Sequence, residues 1–374
     1  MQVSAAAIHP AVRRALTRAL SDPAGLADLA PGELDFALRV VRRAQLVGRI
    51  AWQLRDGAQL SRFPQTAQDA LSGALAITNA RARVASWELD RLARALMPLD
   101  SVPLVALKGC AYMLLALPNS RGRFFADVDL LVPEAELGRI EAQLTSRGWL
   151  PAELTAYDDN YYRLWTHELP PLRHTERQVE IDLHHSVLMR TARLRPNAQL
   201  LLANARRVPG SRFSVLAPVD MTLHAMTHLF YGGEMNDALR ELVDIDQLIR
   251  HFAVHEPGFW EQFWPRAVEL DLAPPAYYGL RYAARLLNTP VPDTVLKASP
   301  RGAPSALSVW VMDRVVPRAL FPQHPDKHTL SAATARLLLY MRSHWVRMPT
   351  LMLMRHLARK FYVRRLSFGK PHNE

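Results

Sequence analysis

Asp127-Val128-Asp129-Leu130-Leu131-Val132 alternates acidic and apolar residues before it turns fully apolar. A period of two places Asp127 and Asp129 on one face of a β-strand. Two carboxylates held that close repel by about 4 kcal/mol at an effective dielectric near 20 and a separation of ~4 Å. A divalent cation removes the penalty, and Mg2+ takes one or two carboxylates together with substrate phosphates. Asp-x-Asp alone is a weak pattern, because an acidic edge strand facing solvent shows it too.

Its neighbours strengthen it. Upstream, the apolar run from Val102 to Leu107 reads as a short strand that leads into Lys108-Gly109 and a helix from Gly109 to Leu117. A glycine at a strand-to-helix turn lets backbone approach a phosphate, and a helix N-terminus favours the anion. Lys108 is the only lysine in the first 296 residues of a chain with five lysines and 41 arginines. That choice suits a position that wants a compact ammonium on a flexible stem. Downstream, Val179 to His184 alternates again, with Glu180, Asp182 and His184 on one face. A third carboxylate beside the pair is what in-line nucleotidyl transfer needs. One metal then holds the triphosphate and leaving oxygen, and another lowers the pKa of the acceptor hydroxyl.

These segments resemble the nucleotidyltransferase superfamily of the DNA polymerase β type, and within it an uncharacterised bacterial branch. The branch pattern is matched by Leu107-Lys108-Gly109, Arg123, Asp127-Val128-Asp129, Gly148-Trp149 and Ile181-Asp182-Leu183-His184. A further part of the pattern matches Val219 to His228 and Leu242 to Asp246, so the resemblance covers about residues 100 to 250. It implies that Asp127 and Asp129 bind Mg2+ (or Mn2+), and that Asp182 completes the site and activates the acceptor. Glu180 is the runner-up for the third acid. Lys108, Gly109 and Arg123 would meet the phosphates of an NTP. His184 would brace Asp182 or contact substrate, since Mg2+ prefers oxygen. The superfamily's usual Gly-Ser or Gly-Gly turn is replaced by Lys108-Gly109-Cys110, so phosphate binding would rest on backbone amides and the two cations.

Around this centre the expected class is α/β (α+β): a small mixed sheet of the polymerase β-like type flanked by helical regions on both sides. The boundaries read as 1–98 (helical), 99–217 (nucleotidyltransferase core) and 218–374 (helical with a basic tail). One helix is expected from Pro31 to about Arg55 and a long one from Gln65 to about Met97, because apolar residues recur at three- and four-residue spacing. Tyr161 to Thr166 reads as a strand.

Composition limits the alternatives. The chain has 374 residues, 49% hydrophobic and 22% charged, which excludes a wholly disordered protein. One cysteine, Cys110, excludes an intrachain disulfide and a cysteine-based zinc site. No apolar run approaches the roughly 18 residues of a spanning helix, and the opening residues carry no secretory pattern. A cytoplasmic location is expected. Of the net charge of +11, +8 falls in the last 39 residues. The basic stretch 336–370 is therefore expected to meet an anionic membrane, placing the protein peripherally at the inner membrane surface, or nucleic acid.

His224 and His228 stand four apart on a predicted helix and read as packing histidines that hydrogen-bond to the α/β unit and border the site. Of Asp244 and Asp246, two apart, one reads as a solvated or capping residue. The expected activity is transfer of an NMP from an NTP to an acceptor: a small molecule, a peptide, a protein or RNA. Two rivals remain. A glycosyltransferase also uses Asp-x-Asp, but it needs a longer α/β region ahead of it than the ~25 residues present. A catalytically silent nucleotide-binding scaffold on the same fold is the other.

Overall fold

The computed structural model describes residues 8–177, 179–232, 238–298, 300–327 and 329–354. Its centre is a seven-stranded mixed sheet in the order β3-β4-β5-β2-β1-β7-β6. The strands are β1 (Val105–Ala106), β2 (Asp127–Leu131), β3 (Trp149–Pro151), β4 (Leu172–His174), β5 (Glu180–His184), β6 (Arg206–Arg207) and β7 (Ser214–Val215). The middle strand, β2, lies antiparallel to β1 and parallel to β5. Val128, Asp129, Leu130 and Leu131 are all buried, as a central strand requires. The β2–β5 register sets Asp127 opposite Glu180 and Asp129 opposite Asp182.

The helices before the core are α1 (Pro10–Ser21), α2 (Pro31–Arg43), α3 (Val47–Asp56) and α4 (Gln65–Ala95). Those within it are α5 (Lys108–Leu114), α6 (Leu137–Thr145), α7 (Ala156–Trp165) and α8 (Ala198–Ala203). After it come α9 (Pro218–Tyr231), α10 (Ala238–His255), α11 (Phe259–Glu269), α12 (Ala273–Leu287), α13 (Asp293–Lys297), α14 (Ala306–Leu320) and α15 (Leu330–Arg347). No helix among the described residues is long and apolar enough to cross a membrane.

The 31-residue α4 runs against β2, α5 and α6. Its buried Glu88 ties it to the sheet edge, accepting from Trp149 Nε1 and Arg177 Nε, both at 2.8 Å. The α9 helix is buried nearly all round, in contact with α10, α11, α12 and α15. A helix apolar on every side belongs inside a layered bundle.

Two expectations about elements are corrected. Residues 31–55 form two helices, broken at Gln45, whose φ is +58°. Ala44-Gln45-Leu46 contains neither glycine nor proline, so the break has no local signal. The stretch from Tyr161 is helical because α7 starts earlier. Thr155 Oγ1 accepts from the Asp158 N–H at 3.2 Å, and Asp158 and Asp159 occupy the first turn, where carboxylates favour a helix N-terminus. That cap outweighs the aromatic strand propensity of Tyr161 and Tyr162.

Candidate active site

The pairing of β2 with β5 brings carboxylate oxygens of Asp127, Asp129 and Asp182 within 4.8 Å of one another. Asp129 is 3% exposed, whereas Asp127 stands at the exposed end of β2. Buried carboxylates need partners, and Asp129 has two. Lys108 Nζ donates to its Oδ1 at 2.8 Å, and His184 Nε2 donates to the same oxygen at 3.0 Å. Burial opposes charge on Asp129, yet Lys108 and His184 outweigh it and hold this carboxyl well below the usual carboxylate range. Burial also opposes charge on Lys108, and Asp129 reverses that, raising the lysine above its ordinary value.

Asp182 is the opposite case. Burial, and then the charge of Asp129, push its carboxyl up to about 7. One acid of the cluster is thus firmly ionised and its cross-strand partner is poised to exchange a proton near neutrality. A divergence of this kind separates acid–base roles between neighbouring carboxylates. Glu180 stands apart, bonded to Arg173 Nη2 at 3.0 Å across the β4–β5 pair.

The turn after β1 is built around Lys108. Its backbone lies in the left-handed region, with φ of +44°, a conformation that costs a residue with a side chain about 1–3 kcal/mol. Gly109 leaves room for its neighbours: a Cβ there would come within 3.0 Å of Arg123 Nε and 3.3 Å of the Phe125 ring. Cys110 is buried, its Sγ 3.8 Å from the Asp127 carbonyl oxygen. It packs beneath β2 and has no serine-like hydroxyl role.

A cavity of about 470 Å³ opens beside these groups. Lys108, Asp127 and Asp129 form one wall, Tyr112, Arg123 and Phe125 another, and His228, Arg240, Glu241 and Asp244 of α9 and α10 a third. Gln45, at the break between α2 and α3, closes its rim. All three stretches of the chain therefore contribute to the cleft. Arg123 forms an ion pair with Asp244, both nearly buried, and lies over the Tyr112 ring at 5.4 Å. Arg123 is delivered by a close backbone crossing. A Cβ on Gly122, whose φ is +64°, would stand 2.2 Å from the Gly48 carbonyl oxygen.

Several expected partners differ. The ring of His184 bonds to Asp129 and not to Asp182, because Asp129 is the buried acceptor diagonal to it on β2. His228 bonds to Glu241 of α10 at 3.0 Å and not to the α/β unit. His224 is buried, and burial keeps its ring well below the ordinary histidine value. Neither Asp244 nor Asp246 is solvated. Both are buried, Asp244 against Arg123 and Asp246 against Arg250 Nε at 2.8 Å and Thr289 Oγ1 at 2.6 Å. The nearly buried Arg123 on one acid, and the more exposed Arg250 with a buried hydroxyl on the other, explain why one turn of the helix tolerates both.

Sequence reasoning missed Arg240 and Glu241, for which no motif signals a role. It also missed Glu168, brought to His184 by an isolated antiparallel bridge. The basic tail beyond residue 354 lies outside the described residues. Within them, Arg336 and Arg342 donate to backbone carbonyls of Ala319 and Phe230, so this part of the cationic run packs on the body.

A mixed sheet with three acids on adjacent parallel strands and a lysine at the preceding turn fits an α+β nucleotidyltransferase fold. The chain belongs to the family described as "Uncharacterised nucleotidyltransferase", whose model matches residues 31–288. The match supports a transferase, and it is wider than the 100–250 span of the sequence motifs, taking in α2 to α4 and α12. No curated protein and no solved structure matches the chain.

Proposed function

We propose that the protein is a Mg2+- or Mn2+-dependent nucleotidyltransferase that moves an NMP from an NTP to a hydroxyl-bearing acceptor. The observation that carries this reading is the convergence of Asp127, Asp129 and Asp182 within 4.8 Å, beside Lys108, with Asp127 and Asp129 at the wall of a cleft. The donor set is all oxygen, which fits hard divalent cations. Bound there, such a cation neutralises phosphate charge and acidifies the acceptor hydroxyl.

The chain's own groups divide the remaining work. Asp127 and Asp129 hold the cation. Asp182 takes the proton from the acceptor hydroxyl, whose oxygen bonds to the α-phosphorus as the bond to the pyrophosphate oxygen breaks. Lys108 leaves Asp129 to meet phosphate oxygens, the exchange of one anionic partner for another. Arg123, held by Asp244, presents a fixed guanidinium to the same end of the cleft. The remainder of the basic stretch 336–370, beyond the packed Arg336 and Arg342, positions the enzyme on an anionic membrane or a nucleic-acid acceptor, outside the chemistry.

The test is incubation of the full chain with each NTP radiolabelled at the α-phosphate, with Mg2+ and cell extract. Label transferred to an acceptor, abolished by chelator and by Asp129→Ala, is the expected result. Nucleotide binding without transfer under every NTP and extract would favour the silent scaffold.

A further inference from the structure

A second cluster lies one pleat repeat beyond Asp182 on β5, where His184 faces residues 167 and 168. Ligand atoms of His167, Glu168 and His184 lie within 4.8 Å of one another. His184 Nδ1 is 3.3 Å from Glu168 Oε2, and His167 Nε2 is 3.8 Å from the same oxygen. The two rings face each other at 5.2 Å between centroids. The His167 backbone is pinned, its carbonyl accepting from the His185 N–H at 2.9 Å, and Leu169 N–H donates to the Leu183 carbonyl at 3.0 Å. The loop is thus laid along the end of β5 by ladder-like bonds, which fixes the spacing of the three side chains. His167 Nδ1 is buried with no hydrogen-bond partner among the protein atoms, an unusual state for a polar ring atom.

We propose that His167, Glu168 and His184 form a separate transition-metal site, suited to Zn2+, next to the oxygen-rich site of the three aspartates. Two imidazoles and one carboxylate are the ligand set of open zinc centres, which leave a further position for water or substrate. Mg2+ avoids nitrogen, so the two clusters select different ions. The outer contacts fit as well. A metal-bound histidine usually donates its other ring N–H to a carboxylate. His184 already does so: Nε2 bonds to Asp129 at 3.0 Å while Nδ1 faces Glu168. Asp129 thereby joins the two clusters, orienting the histidine of one while belonging to the acids of the other.

The experiment uses the full chain, stripped with chelator and then dialysed against Zn2+ equimolar with protein in a large excess of Mg2+, followed by elemental analysis and Zn2+ titration. Wild type should retain a single tightly held Zn2+. His167→Ala and the nearly isosteric Glu168→Gln should each weaken it by at least the ~10-fold that loss of even an outer contact costs. Asp127→Asn should retain Zn2+, which separates this site from the aspartate cluster. His251→Ala removes one ring of the stacked His251–His255 pair elsewhere and should change nothing. The proposal is overturned if wild type holds no Zn2+ in the presence of Mg2+. It is equally overturned if Glu168→Gln binds as wild type does, or if Asp127→Asn or His251→Ala accounts for the bound metal.

Discussion

Lys108 Nζ donates to Asp129 Oδ1 at 2.8 Å, so the most deeply buried acid of the cluster is neutralised by the chain itself. A lysine in that place holds the site together while it is empty of substrate, and it competes with any cation for the same oxygen.

Lys108→Ala should therefore separate two affinities. Nucleotide binding weakens by about tenfold, or ~1.4 kcal/mol, if the ammonium meets the phosphates as proposed. Binding of Mg2+ alone is unchanged or tighter. Lys108→Arg restores nucleotide affinity only in part, since a guanidinium is larger and fixed in shape. Calorimetry with nucleotide and with metal separately checks both, and equal nucleotide affinity in the alanine variant contradicts the role.

Loss of any one of the three aspartates should abolish transfer while the fold survives. Asp127→Ala, Asp129→Ala and Asp182→Ala are each expected to lower turnover at least roughly 10³-fold, the several kcal/mol that metal-assisted charge stabilisation contributes. Glu180→Ala should cost little, because that side chain is engaged with Arg173. Near-normal turnover in all three aspartate variants would sink the metal-cluster reading, and an essential Glu180 would reassign the third acid.

Stability of the metal-free protein should fall as pH rises from about 4 to about 7. The Asp182 carboxyl is held up to about 7 in the folded chain, against 3.8 ordinarily. Between those values the folded state keeps a proton that the unfolded chain has released, and above them the charge is present beside Asp129. Asp182→Asn should flatten this window and raise Tm at pH 8 by a few degrees, roughly 1–2 kcal/mol. Thermal melts across pH in chelator decide it: a profile unaffected by the substitution assigns the dependence elsewhere.

The Gly48–Gly122 crossing should be intolerant of a methyl group. Gly122→Ala places a Cβ 2.2 Å from a carbonyl oxygen at a φ of +64°, a clash and strain worth about 1–3 kcal/mol. Because Arg123 follows directly, nucleotide affinity should fall along with Tm. Asp244→Ala reaches the same guanidinium from the other side and should cost about 3–5 kcal/mol by leaving a buried charge alone.

Neutralising Arg355, Arg359, Lys360, Arg364 and Arg365 to glutamine should reduce binding to anionic vesicles or RNA, steeply so at low salt, with transfer to a soluble acceptor preserved. Wild-type protein that binds neither at ~50 mM salt would leave the tail no such role.

Much of the site was legible along the chain because its parts are short and periodic. Asp127 and Asp129 share a face through the two-residue repeat of a strand, and Glu180, Asp182 and His184 do so for the same reason. The helix from Gln65 likewise follows from spacing alone and ends at Ala95, close to expectation. The strand expected at Tyr161 failed although its correction was local: a Thr155 cap with two acids behind it is a sequence signal that aromatic propensity masked.

What the sequence by itself determined is which faces are acidic, which are apolar, and that a lysine-glycine turn precedes the acidic strand. Only the tertiary structure decided the partners. The parallel register of β2 with β5 set Asp182 opposite Asp129 while Arg173 of β4 took Glu180, and the diagonal across it gave His184 to Asp129. The packing of α10 buried both Asp244 and Asp246, where one was expected to be solvated or capping, and made Asp244 the anchor of Arg123. The physical reason is that periodicity is a property of one element, whereas the charge a buried group can keep depends on what other elements bring within a few ångströms of it.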